Sequence, residues 1–263
     1  MKKNLHCLKK NWKLFKKHLI NFNFLIISIA FSASNCSDKK ENCFYTSGQT
    51  ITQRIPLENF KYVYLEDNID YYLIQDTSNW IELTCDEKTL PFINIQVSAN
   101  ELKINNFATC DFLRNYETNN KAIIHYKTIE KINFTGSKKI TSLDTIKSDI
   151  LAVYLLKGAG SIQLSIDCNR FETSSNGYGD LSIEGNCNSY LAVQRRISTY
   201  NLLNLKTKDS IRTIQQSINQ MKIDANGCAL RGKIEKSGDI YYKGYPTNID
   251  IELLNKGKLI SLN

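Results

Sequence analysis

From Lys131 onward the chain repeats a short unit about every twenty residues, and this repeat limits the fold more than any other feature of the sequence. Each unit opens with a polar or glycine-containing turn. An anchor residue follows, which is apolar and begins an alternation of apolar and polar side chains. Fixed periods of this size are typical of solenoids, propellers and repeat arrays. The anchors are spaced 22, 19, 19, 21, 19 and 19 residues apart: Ile140, Ile162, Leu181, Tyr200, Met221, Ile240 and Leu259.

The alternation after each anchor predicts short strands with one buried face, as in 162–166 and 181–183. A second short strand precedes each turn, for example at 190–193. One such unit cannot bury its apolar face alone, and stacking on the next unit completes the core. We therefore predict an all-β, single-stranded, right-handed β-solenoid (β-helix) with 19–22 residues per coil. The same turn spacing would also suit an antiparallel β-sandwich, which is the alternative.

Glycine recurs in the turns between units, where we expect it to play a structural part at the corners of the coils. A positive φ angle at such corners would favour glycine. Two middle units depart from this pattern, since Arg195-Arg196 and Gln216-Ser217 stand where other units have glycine. The turn glycines are Gly136, Gly158, Gly160, Gly177, Gly179, Gly238 and Gly257.

Cys36 ends a segment that is built like a bacterial export signal. Seven lysines and no acidic residue come first, followed by an apolar stretch at 19–31 and the small polar run 33–35. The apolar stretch is shorter than the roughly 20 residues that span a bilayer. With a cysteine at the cleavage point, the segment resembles a lipoprotein signal of the Bacteroidota type. That resemblance implies that Cys36 becomes the first mature residue and carries the acyl chains.

The predicted organisation follows from this cleavage point. Residues 1–35 are a lipoprotein signal peptide, 36–50 a flexible tether and 51–263 a solenoid domain, with a first part at 51–128 and regular coils at 129–263. Cleavage removes seven lysines and no acid, which lowers the formal net charge from +8 to +1. Little basic field is left to attract nucleic acid. We expect an outer-membrane lipoprotein, on the periplasmic or cell-surface face, that contacts the membrane through its lipid and binds no nucleic acid.

Six cysteines follow the cleavage point, an even number that permits disulfides in an oxidising compartment. Cys168 and Cys187 each lie six residues after an anchor, so they should stack on adjacent coils. Both a disulfide and two buried free thiols fit that position. No Cys-x-x-Cys pair occurs, which disfavours a structural zinc site. The pairing of the other four stays open: Cys43, Cys85, Cys110 and Cys228.

Several motifs in the first part and near the end of the domain occur in a characteristic order. They are Glu58-Asn59-Phe60, Asp70-Tyr71-Tyr72-Leu73, 86–93, Leu102-Lys103-Ile104 and 236–246. This order resembles the "putative auto-transporter adhesin head (GIN)" domain family over about residues 51–263. The resemblance implies an exported β-solenoid that is often part of a lipoprotein.

Catalytic patterns are not found in the sequence. Asp180 and Asp239 share a coil position but lie three coils apart, about 14 Å at strand spacing. Carboxylates that hydrolyse a glycosidic bond lie about 5 to 9.5 Å apart. His125 has no recognisable nucleophile motif near it.

We therefore predict a non-enzymatic adhesion or ligand-binding module, without catalytic residue, metal or cofactor. Its partner would be a glycan or an envelope protein. The alternative is a carbohydrate-active enzyme, a polysaccharide lyase or hydrolase, on a β-helix. Tyrosines are candidates for ligand contacts: Tyr154, Tyr178, Tyr241 and Tyr245.

Overall fold

The computed structural model describes residues 48–107 and 120–263, of which 67% lie in strands. The chain folds as a β-solenoid of about seven turns, which confirms the predicted fold; the sandwich alternative is wrong. No helix in the described part of the chain is long and apolar enough to cross a membrane. The predicted signal peptide, Cys36, Cys43 and Cys110 lie outside the described residues, as does most of the tether.

The strands follow one another around the coils and join into one continuous hydrogen-bonded system. A single 3-10 turn, Leu90–Phe92, interrupts them in the described residues. In chain order the strands are β1 Thr50–Pro56, β2 Tyr62–Leu65, β3 Asp70–Gln75, β4 Trp80–Asp86, β5 Ile93–Ser98, β6 Glu101–Asn106, β7 Lys121–Tyr126, β8 Lys131–Phe134, β9 Lys139–Leu155, β10 Ser161–Ser175, β11 Asp180–Arg196, β12 Thr199–Ser217, β13 Met221–Asp224, β14 Ala229–Ile234, β15 Ile240–Lys243, β16 Asn248–Leu253 and β17 Leu259–Ser261.

The predicted anchors form one parallel stack along the solenoid. Ile162 pairs with Ile140 on one side and with Leu181 on the other. The stack continues through Tyr200, Met221, Ile240 and Leu259 in the order that the repeat predicts. Six of these seven anchors are almost fully buried, because each is covered by the coils on both sides. A second parallel stack on the opposite side joins β8 and the later halves of β9 to β12 to β14 and β16.

Bulges absorb extra residues in the two longer units. Between β9 and β10 the register shifts by two residues, because Thr141 pairs with Gln163 whereas Thr145 pairs with Ser165. Strand β12 carries two single-residue shifts against β11. A bulge leaves its extra residue unpaired and lets the ladder resume. The anchors therefore stay in register although the units differ in length.

The less repetitive first part closes one end of the solenoid. Strands β2 and β3 begin the two parallel stacks. Beyond them the pairing becomes antiparallel: β4 lies between β1 and β7, and β5 pairs with β6. Ile51 and Ile55 of β1 pack against the core from this side. The end of the core is therefore covered by strands of the same chain.

The turn glycines lie where successive coils approach each other closely. A Cβ on Gly179 would lie 1.8 Å from the carbonyl oxygen of Gly160, and one on Gly158 would lie 2.0 Å from that of Gly136. The expectation of positive φ is wrong for all seven turn glycines, since none has such an angle. Positive φ occurs instead at Gly185 and three other glycines that the repeat does not single out. Space between coils, and not backbone conformation, explains glycine at these corners.

Candidate functional site: a groove at the glycine-free corner

The middle coils carry a surface groove at the corner where the sequence departs from glycine. By register, Arg196 takes the position of Gly177 and Ser198 that of Gly179. The groove has a volume of about 560 Å³. We call it the corner groove and define it by its lining residues: Asn176, Tyr178, Arg195, Arg196, Ile197, Gln216, Ile218, Glu235 and Lys236.

A buried network of polar side chains supports this corner from inside. Ser175 and Ser198 hydroxyl oxygens lie 2.6 Å apart, and the Ser217 hydroxyl donates to the Arg196 carbonyl at 2.8 Å. The Gln194 side-chain amide donates to the Ser198 carbonyl. All four of these polar side chains are fully buried. Buried polar groups that are bonded in this way hold the corner backbone in one arrangement.

A ladder of planar side chains forms the floor of the groove. Arg195 Nε donates to Gln216 Oε1 at 2.9 Å, and Gln216 Nε2 donates to Glu235 Oε2 at 2.5 Å. Arg195 is also fixed by its Nη1, which donates to Ser174 Oγ at 2.8 Å. These three planar groups come from three successive coils. Each holds the next, so the floor is ordered before any ligand binds.

Apolar side chains line the groove at one repeated position. Tyr178, Ile197 and Ile218 occupy equivalent positions in successive coils and are 56%, 44% and 59% exposed. Large apolar side chains that are grouped on a surface mark interaction sites more often than scattered ones do. Together they give the groove a ridge that can pack against the apolar face of a ligand.

The charge of the groove is mainly positive. Three cations, Arg195, Arg196 and Lys236, accompany one acid, Glu235. Hydrogen bonds from Lys233 and then Gln216 lower the pKa of Glu235, which is therefore ionised and already paired at neutral pH. In the described part of the chain neither arginine has a carboxylate within ion-pair distance. The two guanidinium charges are not neutralised by the protein.

Arg196 holds an unusual backbone conformation in this groove. Its φ angle is +58°, in the left-handed region that glycine adopts without cost. A residue with a Cβ pays about 1–2 kcal/mol there. Such strain at a non-glycine residue is a recognised indication of a functional position. The Arg196 Nε donates to Asn176 Oδ1 at 2.7 Å, which orients the guanidinium along the groove wall.

The family model described as "Putative auto-transporter adhesin, head GIN domain" matches residues 59–246. The chain belongs to this family. The resemblance of the sequence motifs is thereby confirmed. No curated protein matches the chain.

Solved structures share the fold of this GIN domain. A "putative adhesin" of Bacteroides fragilis superposes with a TM-score of 0.76 at 19% identity, over 82% of this chain and 98% of that one. A "putative lipid binding protein" of Parabacteroides distasonis gives 0.65 at 16% identity, over 83% and 99%. A "putative adhesin" of the same species gives 0.61 at 16% identity, over 82% and 98%. At these identities the likeness shows a common fold.

The two repeat cysteines are neighbours on adjacent coils. Cys168 pairs with Cys187 in the register of β10 and β11, which puts their Cα atoms about 4.8 Å apart. A disulfide accepts that separation. Both are buried free thiols in the structure, as are Cys85 and Cys228. Burial raises the pKa of Cys168 to about 12, so the thiol is protonated and slow to oxidise at neutral pH. The disulfide stays a prediction, which the intact mass of the unreduced protein would test.

His125 takes part in a stack that sequence reasoning missed. Trp80 lies between the His125 ring, 3.5 Å from centroid to centroid, and the Arg54 guanidinium, 3.8 Å from its ring centroid. His125 Nδ1 lies 3.0 Å from Asp76 Oδ2. The Thr77 backbone N–H, His125 and Trp80 lower the pKa of Asp76. The stack joins β1, β4 and β7, and it reads as a clamp across the closed end.

The other candidates lie apart from the groove. Asp180 pairs with Thr199, and two further coils separate it from Asp239, as the repeat predicts. Among the candidate tyrosines, Tyr178 lines the groove and Tyr154 donates a hydrogen bond to Glu172 at 3.0 Å. Tyr245 is 78% exposed but lies in another part of the surface.

Proposed function

We propose that this GIN domain is an exported, lipid-anchored protein of the cell envelope that acts as a non-enzymatic adhesion or ligand-binding module. The corner groove would be its binding surface. The observation that carries this proposal is a preordered floor of hydrogen-bonding groups, beside an exposed apolar ridge, on a strained arginine corner. Membership of an adhesin family supports a binding role. The signal-like segment before Cys36 supports export and the lipid anchor.

The chemistry of the groove favours a glycan that carries acidic groups. A sugar ring has an apolar face, which can pack on Tyr178 and Ile197, and hydroxyl groups at its rim. Amide and guanidinium groups such as those of Gln216 and Arg195 bind hydroxyls and carboxylates. The unneutralised arginines favour carboxylate or sulfate substituents over neutral sugars, because arginine binds such planar anions with paired hydrogen bonds.

A glycan array with acidic and neutral oligosaccharides, together with envelope proteins, tests the proposal. We expect the wild type to bind acidic oligosaccharides, and Arg196→Gly and Tyr178→Ala each to weaken that binding about tenfold or more. A lost charged hydrogen bond costs about 1.5–3 kcal/mol and 1.4 kcal/mol is tenfold. Arg196→Gly also relieves the positive φ at this position, so its fold should be at least as stable as that of the wild type.

Two substitutions outside the groove serve as matched controls. Tyr245→Ala removes an exposed tyrosine and Arg170→Ala an exposed arginine, and neither residue lines the groove. Both controls should bind as the wild type does. Wild-type affinity in Arg196→Gly and Tyr178→Ala, or binding of neutral and acidic sugars alike, would show that the groove is not the acidic-glycan site.

A further inference from the structure

The last coil exposes side chains that are core residues in every earlier coil. Leu230 is fully buried, whereas Ile249, its partner one coil later, is 43% exposed. Ile234 is likewise fully buried, and its partner Leu253 is 56% exposed. Leu254 and Leu262 add further apolar surface. We call this the terminal face and define it by Ile249, Ile251, Leu253, Leu254 and Leu262.

The strands at the terminal face are also unpaired on one side. Among the described residues β16 pairs with β14 alone and β17 with β15 alone. The opposite end of the solenoid differs, because antiparallel strands of the same chain cover it. A solenoid needs a cap at each end, and an open strand edge is a template for pairing with another strand. The terminal face therefore has both the apolar surface and the free edge of an interface.

Charges on the terminal face are separated into an acidic and a basic part. Asp250 and Glu252 lie on β16, whereas Lys256 and Lys258 lie in the corner that follows it, and all four are exposed. Within the described residues none of the four forms an ion pair. Acidic strand and basic corner are thus free to pair with charges on another molecule.

We infer that the terminal face docks on the same face of a second copy of this chain, around a two-fold axis. The axis lays β16 of one copy against the corner and β17 of the other. Antiparallel pairing of β16 with itself about Ile251 would set Asp250 opposite Glu252, and like charges in opposition are destabilising. The arrangement with β17 instead sets acid on base at two symmetric contacts, as a two-fold interface requires. It also covers the apolar side chains of both copies.

Charge reversal on each side of the interface tests this dimer. The full chain, kept in a density-matched detergent, is studied by sedimentation equilibrium. Wild type should be a dimer, and the variants D250K/E252K and K256E/K258E should each dimerise at least about tenfold more weakly, since like charges then meet at both contacts. An equimolar mixture of the two variants should regain the dimer, because every contact is again acid on base.

Three outcomes would overturn the inference: a monomeric wild type, variants that dimerise as the wild type does, or a mixture that stays monomeric. Leu253→Asp, which puts a charge into the apolar part of the face, should stay monomeric alone and in mixtures. The control K206E/K208E changes charges far along the chain and should dimerise normally. Circular dichroism of each variant shows that the fold is kept. Flotation of a monomeric wild type with anionic lipid vesicles would assign the face to a membrane surface instead.

Discussion

Replacing Gly179 with alanine is expected to lower the free energy of unfolding by about 3 kcal/mol, the upper part of the usual range for overpacking. The added Cβ would lie 1.8 Å from the Gly160 carbonyl oxygen, and backbone atoms of two coils must move apart to admit it. Because the coils are stacked on both sides, that movement disturbs two interfaces. Urea denaturation followed by circular dichroism measures the change.

Two further alanine substitutions serve as controls for Gly179→Ala. Gly257 lies in the last coil, where its Cβ would be 2.5 Å from the Gly238 carbonyl oxygen and no later strand in the described chain holds the coil in place. Gly257→Ala should therefore cost less. Ser237→Ala at an exposed corner position should stay within about 0.5 kcal/mol of the wild type. A loss of that small size for Gly179→Ala would contradict the close approach of the coils.

Substitution of Cys36 by serine is expected to abolish lipid attachment completely. The acyl-glycerol group of a lipoprotein is bonded to the cysteine sulfur, and serine has no thiol to accept it. Metabolic labelling with a palmitate analogue should mark the wild type and leave Cys36→Ser unmarked. Cys43→Ser, seven residues further on, is the matched control and should label as the wild type does. Equal labelling of wild type and Cys36→Ser would remove the anchor from the proposed function.

The repeating part of the fold can be read from the sequence, and the closed end cannot. Each coil buries one apolar residue at the same phase, so the spacing from Ile140 to Leu259 reports the strand register directly. The bulges in β9 and β12 explain why longer units keep that register. At the closed end the pairing of β4 with β1 and β7 is antiparallel, and no period in the sequence records it. The Arg54–Trp80–His125 stack depends on that pairing and was therefore missed.

The corner groove could be predicted only in part. The absence of glycine at Arg195-Arg196 marks the corner in the sequence, but nothing there shows what replaces the glycines structurally. Ser198 and Ser217 look like ordinary surface polar residues, yet both are fully buried and bond to corner carbonyls or hydroxyls. The groove itself draws on several coils, so its shape follows from stacking and not from any local motif.

The central claim is that this GIN domain binds a glycan at the corner groove without changing it. Size-exclusion chromatography with light scattering tests it most directly, on an acidic polysaccharide selected by the array and incubated with the protein. We predict that wild type co-elutes with the polysaccharide, that Arg196→Gly does not, and that the polysaccharide keeps its mass in both samples. A fall in polysaccharide mass that requires the protein would show a lyase or hydrolase instead, and co-elution that survives Arg196→Gly and Tyr178→Ala would place binding elsewhere.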